Sequence, residues 1–196
     1  MVITMQKPLN VFFLIGRPGS GKGTQLSFLK EMTGFDVVKT GNLLRERARE
    51  KDIIGKKIKE VLSEGKLIPT PIVFSLWMPL IIDYFGKNTR GLIFDGNPRK
   101  LYEAHMLEEL FSMLDFKEPI ALYVKISEEE ARKRLLKRGR EDDREEDIRE
   151  RLRWFKEEVM PVVDYYAKKD KLIEINGEQS PEAVWKETEE KIKYVL

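Results

Sequence analysis

The chain has 196 residues, 41% of them hydrophobic, which allows one compact core with small appendages but not two large domains. Lys and Arg number 36 against 34 Asp and Glu, and a net charge of +2 does not announce a nucleic-acid partner. There is no cysteine, which excludes disulfides and thiolate metal sites, and no apolar stretch approaches the roughly 18 residues of a membrane span. The first seven residues lack the order of a secretory signal, so cytoplasmic residence is the expectation. Lys and Glu dominate the 36% of charged residues, which fits a heat-adapted ion-pair surface and an ordinary solvated helical surface equally.

Short apolar strands alternate with amphipathic helices. Residues 10–15 form an apolar run ending at Gly16 and read as a buried strand. A helix follows over 22–32 with Leu26 and Leu29 inward, then a second strand over 36–39. Thr40 is placed to cap the helix that carries Leu43 and Leu44. Another helix spans 54–62 and ends near Gly65, and Pro69 and Pro71 open a longer one reaching Tyr84. Residues 92–95 are a third strand, 101–113 a helix and 120–126 a fourth strand. Ser127 with Glu128, Glu129 and Glu130 has the form of a capping box. A long helix from about Glu145 carries Ile148, Leu152, Phe155 and Val159; 172–175 is the last strand, and Ser180 and Pro181 start the last helix. Strands separated by helices imply a doubly wound α/β fold with a five-stranded parallel sheet. Ligands on such sheets bind beyond the carboxyl ends of the strands.

Residues 16–22, GRPGSGK, fit G-x-x-x-x-G-K between a strand and a helix, the context of a phosphate-binding P-loop. Backbone amides of Gly16, Pro18's successor Gly19, Ser20, Gly21 and the helix start would converge on phosphate oxygens, and Lys22, on an exposed loop, would follow the β- and γ-phosphates. Gly23 stands where P-loops carry the magnesium-binding hydroxyl, which comes one residue later at Thr24. Magnesium brought with ATP is therefore expected to rest more on phosphates and waters than on a loop hydroxyl.

GRPGSGKGTQ at 16–25 resembles the signature of the adenylate kinase family, and so do TGNLLR at 40–45, DGNPR at 95–99 and GREDD at 139–143, in the right order and spacing. The resemblance implies a P-loop NTPase core, a helical monophosphate-binding insertion over 40–71 and a short lid over 138–146 without zinc ligands. It further implies ATP:AMP phosphotransfer by a monomer acting on small nucleotides, with neither nucleic acid nor membrane as partner.

The residues carried over are Lys22, Arg99, Arg138, Arg140 and Arg151 for catalysis. Gly16, Pro18, Gly19, Ser20, Gly21, Lys22, Gly23, Thr24, Arg134 and Arg138 would hold ATP. Thr40, Gly41, Arg45, Leu67, Ile68, Gly96, Arg99, Glu103, Arg140 and Arg151 would hold AMP, with Asp95 and Asn42 reaching the metal through water. Planar guanidinium groups suit phosphate clamping. Arg134 and Arg138 are four apart on one helix and share a face, while Asp142 and Asp143 are placed to ion-pair in the lid. A monophosphate is already dianionic and needs no base, so the single histidine, His105, reads as a packing or surface residue. Three departures from the family pattern stand out: Asn42 replaces aspartate, Asn97 phenylalanine and Glu103 glutamine. An ionised Glu103 only accepts hydrogen bonds, which suits guanine better than adenine N1. UMP/CMP or GMP kinases of the same fold, or a P-loop ATPase or switch protein, are the alternatives at this level.

Overall fold

The computed structural model describes residues 9–87, 89–139 and 143–196. Five strands, β1 (Asn10–Gly16), β2 (Asp36–Lys39), β3 (Gly91–Asp95), β4 (Ile120–Lys125) and β5 (Leu172–Asn176), form one sheet in the order β2-β3-β1-β4-β5. All pairings are parallel, as the alternation of strands and helices predicts. The helices are α1 (Lys22–Thr33), α2 (Thr40–Arg47), α3 (Ile53–Ser63), α4 (Thr70–Gly86), α5 (Leu101–Met113), α6 (Glu128–Arg138), α7 (Glu145–Trp154), α8 (Met160–Lys168) and α9 (Pro181–Ile192).

The unbroken apolar run of β1 has a physical reason. Val11, Phe13 and Ile15 enter a cluster with Trp77, Phe94, Phe111 and Tyr166 on one face of the sheet. Phe12 and Leu14 enter another with Leu26, Leu29 and Val184 on the opposite face. A central parallel strand covered on both sides must be apolar at every position. Parallel register also aligns the strand ends: Leu14 pairs with Asp95, and Gly16 with Val124. The loop after β1 and the loop after β3 therefore open at the same edge.

Helix ends follow local chemistry in most places. Asp52 accepts from the Gly55 amide at 2.7 Å to start α3, and Ser180 from Ala183 at 3.3 Å to start α9. Three expectations need correction. Thr40 does not cap α2: it is the first helical residue, preceded by Lys39, and its Oγ1 accepts from the indole of Trp77 at 2.8 Å. A fully buried indole N–H needs an acceptor more than a solvent-facing helix end does. Ser127 does accept from the Glu130 amide, but the box is half formed, since the Ser127 amide donates to Glu178 and Glu130 binds Arg134. The helix expected from Glu145 also continues beyond Val159 to Lys168, through a π-helical turn at Phe155–Val159.

The Trp77–Thr40 bond joins α4 to the start of α2. Thr40→Val keeps the shape and removes the acceptor, and is expected to lower stability by about 1–3 kcal/mol in urea denaturation.

Candidate functional site

A cleft of about 710 Å³ opens at the carboxyl edge of the sheet, around the loop between β1 and α1. Three glycines make that loop possible. A Cβ on Gly16 would stand 2.6 Å from both Ser20 Oγ and the Val124 carbonyl, while Gly19 and Gly21 have φ of 84° and 86°. Ser20, 2% exposed, is locked by its amide bond to the Arg17 carbonyl at 3.0 Å. The loop runs into the amino end of α1, where the helix dipole favours an anion.

Among the described residues, eight cations line this cleft against one carboxylate, Asp95: Lys22, Lys39, Arg45, Lys66, Arg99, Arg134, Arg138 and Arg151. In a chain of net charge +2 that concentration is local, and it fits a ligand with several negative charges. Lys22 is partly buried instead of freely exposed, and Nζ donates to the carbonyls of Gly16 at 2.6 Å and Arg17 at 2.9 Å. Burial lowers its pKa to about 8; Asp95 opposes this, and Arg99, Arg151 and Arg138 add to it.

Arg99 leaves the β3–α5 loop, its Nε donating to the Gly96 carbonyl at 2.9 Å and its guanidinium lying 5.3 Å from the Trp154 ring centre. Burial pushes its pKa below the ordinary value, with Glu103 and Asp95 opposing and Arg151 and Arg45 reinforcing. Arg45 Nη2 donates to Asn42 Oδ1 at 2.6 Å. The Asn42 amide oxygen therefore aims a guanidinium, which competes with the metal-water contact expected of it. Asp143, with a fully buried side chain, takes Arg138 through two bonds of 2.8 and 2.6 Å and Arg151 at 3.1 Å. It draws arginines of α6 and α7 together, as its place between basic residues implied. Arg134 shares the cleft with Arg138 but is committed to Glu130 at 2.6 Å and the Gly177 carbonyl at 2.9 Å. Arg140 and Asp142 lie outside the described residues.

Beside the cleft a smaller pocket is lined by Thr40, Leu67, Ile68, Arg99 and Glu103 of the set expected to hold the acceptor, together with Asn97, while Gly41, Arg45, Gly96 and Arg151 of that set line the main cleft. Glu103 is 2% exposed and fully engaged: Oε1 accepts from Thr70 at 2.6 Å, Oε2 from the Arg99 amide at 2.8 Å. Its carboxylate thus shapes the loop that holds Arg99 as well as lining the pocket. His105 is exposed on α5, its ring against Tyr165.

Several lining residues escaped sequence reading. Lys39 and Lys66 look like any surface lysine, and Trp154 follows a charged helix without a motif. Phe155 and Val159 read only as core positions, yet both reach the cleft from the π turn. For a magnesium ion the fit is partial: among the described residues no group of three His, Cys, Asp or Glu assembles, while the half-buried Asp95 and the hydroxyl-bearing Thr24 line the cleft. That set suits a cation that keeps its waters and binds through substrate phosphates.

The Lys22 shift has a consequence for stability. Its folded pKa of about 8 lies below the ordinary 10.5, so between those values the unfolded chain binds more protons and stability rises with pH. Without nucleotide, the stability of the native protein minus that of Lys22→Met is expected to grow by up to about 3 kcal/mol from pH 8 to 10.5 in denaturant titrations.

A model of the adenylate kinase family matches residues 14–171. An adenylate kinase of Azobacteroides pseudotrichonymphae is 37% identical over 185 residues, covering 91% of this chain and 95% of the relative. One of Archaeoglobus fulgidus is 34% identical, with 94% and 100% covered, and adenylate kinase isoenzyme 1 of Caenorhabditis elegans is 32% identical, with 89% and 83% covered. With the parallel sheet, the glycine loop and the arginine-lined cleft already in place, these matches settle the kinship: the chain belongs to the adenylate kinase family.

Proposed function

We infer that this chain transfers the γ-phosphoryl group of ATP to AMP, giving two ADP. The observation that carries this reading is a single cleft in which a glycine loop with Lys22 meets arginines from α2, the β3–α5 loop, α6 and α7. A hydrolase or switch protein needs one phosphate cradle; the further arginines of α2 and the β3–α5 loop supply a second anion site beside it. Thr40, Leu67 and Ile68 line a small adjoining pocket of about 10 Å³, which has to widen for the acceptor base to enter between them.

In this reading the loop amides and Lys22 hold the β- and γ-phosphates, and Arg45 and Arg99 hold the acceptor phosphate. An AMP phosphate oxygen attacks the γ-phosphorus; the bond to the β–γ bridging oxygen breaks and its electrons remain on the departing ADP. No proton has to be removed, because the acceptor phosphate is largely dianionic at neutral pH. Catalysis is alignment and charge neutralisation. Arg138 and Arg151, gathered by Asp143, meet the charge on the transferring group, together with Arg140 of the lid. Asp95, through water, and the ATP phosphates would hold a Mg2+ ion, which supplies further charge neutralisation when bound. The remaining loop residues, Gly16 to Thr24 with Pro18, enclose ATP, and Gly41 and Gly96 leave room beside the acceptor phosphate. Nothing in this scheme needs a second copy, and the active unit is proposed to be a monomer.

The assay is ADP formation from ATP with each monophosphate in turn, with two ADP expected per AMP consumed. Lys22→Ala is expected to lower turnover by about two orders of magnitude or more while circular dichroism stays native. Near-normal turnover by the folded variant would remove the loop from the site.

Glu103→Gln tests the base pocket. Glutamine keeps an acceptor for the Arg99 amide and adds a donor, so kcat/KM for AMP is expected to rise several-fold, on the order of 1 kcal/mol, while that for GMP falls. If neither acceptor responds, Glu103 serves the Thr70–Arg99 network alone.

A further inference from the structure

Arg17 occupies a variable position of the glycine loop, yet its guanidinium is bonded away from the phosphates. Arg17 Nη1 donates to the Ile126 carbonyl at 2.8 Å and lies 3.4 Å from the Tyr123 hydroxyl. The guanidinium carbon stands 5.2 Å from the centre of the Phe155 ring. Arg17 itself does not line the cleft, whereas its neighbours Gly16 and Pro18 do. Ile126 follows β4 and precedes Ser127, which starts α6; Phe155 is the first residue of the π turn after α7. One long side chain therefore ties the loop to the two helices that carry Arg138 and Arg151.

The residue next to Phe155 makes the matching contact on the other side of the site. Trp154 receives the guanidinium of Arg99 over its ring, and its indole N–H donates to the Gly65 carbonyl at 2.9 Å. Two adjacent aromatics thus each seat a guanidinium, one from the phosphate loop and one from the acceptor loop.

We propose that Arg17 is a positioning residue for ATP, fixing the glycine loop against the β4–α6 junction and Phe155 so that the loop amides are convergent before nucleotide arrives. A loop with three glycines loses much backbone freedom on ordering, and an untethered loop would lose it at the binding step. A charged hydrogen bond to a backbone carbonyl and a cation–π contact at a buried ring are strong enough to prevent that. An aliphatic side chain could cover Phe155 but would leave the Ile126 carbonyl without this donor. Lysine could reach the carbonyl but lacks the flat face that stacks on the ring. Because the tether acts before chemistry, it affects ATP affinity and leaves the acceptor side and the transfer step nearly alone.

This inference rests on the reading of the loop as the ATP site, and the test separates the two. ATP affinity is measured by calorimetry, and steady-state kinetics are run with ATP and AMP varied separately, on the native protein, Arg17→Met, Arg17→Lys, Phe155→Leu and the double variant Arg17→Met with Phe155→Leu. Arg17→Met is expected to raise Kd and KM for ATP about tenfold, with kcat within about twofold and KM for AMP unchanged. Arg17→Lys is expected to recover part of the loss, and the double variant to bind ATP about as weakly as Arg17→Met, since the two groups share one contact. A native protein that binds no ATP refutes the reading of the loop. A native protein that binds ATP, with Arg17→Met binding equally well, overturns the positioning role, as does a loss of thermal stability with unchanged KM for ATP. Should Arg17→Met fail to fold, Arg17→Lys decides: weaker ATP binding at unchanged kcat supports the proposal, and unchanged binding overturns it.

Discussion

Cations packed around one cleft repel each other, and the structure is organised around holding them there. Lys22 is anchored on the carbonyls of Gly16 and Arg17 and Arg99 on that of Gly96, whereas Arg134 is held by the Gly177 carbonyl and the Glu130 carboxylate. Arg45 is anchored by Asn42, and Arg138 and Arg151 by the buried Asp143. Most of these anchors are neutral carbonyls or amides. They fix a guanidinium or ammonium without cancelling its charge, so the cleft keeps the positive potential that phosphates meet. The buried carboxylate of Asp143 bonds both Arg138 and Arg151. The depressed pKa of Lys22 is the same constraint seen from one group: a buried cation among like charges.

The sheet supplies the rigid edge on which these anchors sit. Pairing of β1 with β3 brings the glycine loop beside the loop of Gly96 and Arg99, and pairing of β1 with β4 brings it beside the start of α6. The three central strands β1, β3 and β4 are buried on both faces, which sets their ends in close-packed surroundings. Carbonyls at the ends of packed strands, such as those of Gly16 and Ile126, are well suited to seat long basic side chains. The α7–π–α8 segment closes the other wall, and the π turn places Phe155 and Val159 toward the cleft while α8 returns to the core through Val162, Val163 and Tyr166.

Glu103 shows how one side chain serves two purposes. It lies in the first turn of α5, where a negative charge is favoured by the helix dipole, and it accepts from the Arg99 amide just ahead of the helix. It also lines the pocket of Thr40, Leu67 and Ile68. The glutamate-for-glutamine departure is thus compatible with the local backbone, and its effect falls on what the pocket can donate.

The strands, most helix starts, the phosphate loop and the order of the arginine-bearing segments were legible in the sequence. Each is set by local rules: apolar runs, capping residues, glycines where a side chain cannot fit, and a short motif between a strand and a helix. Family kinship was legible for the same reason, since four contiguous motifs carry it. Partnership between distant segments was not. Thr40 looked like a cap because its hydroxyl stands at a helix start; that it serves the indole of Trp77 depends on where α4 packs. Arg17 looked like a variable position in a motif, and its bonds to Ile126 and Phe155 exist only because β1, β4 and the π turn meet. Asn42 looked like a metal-side amide, and that its oxygen also meets Arg45 depends on how the α2 turn sets the two side chains. Sequence by itself determined which chemistry each segment could offer. The tertiary structure decided which groups meet, because a hydrogen bond or an ion pair depends on a few ångströms between chain segments that only their packing brings together.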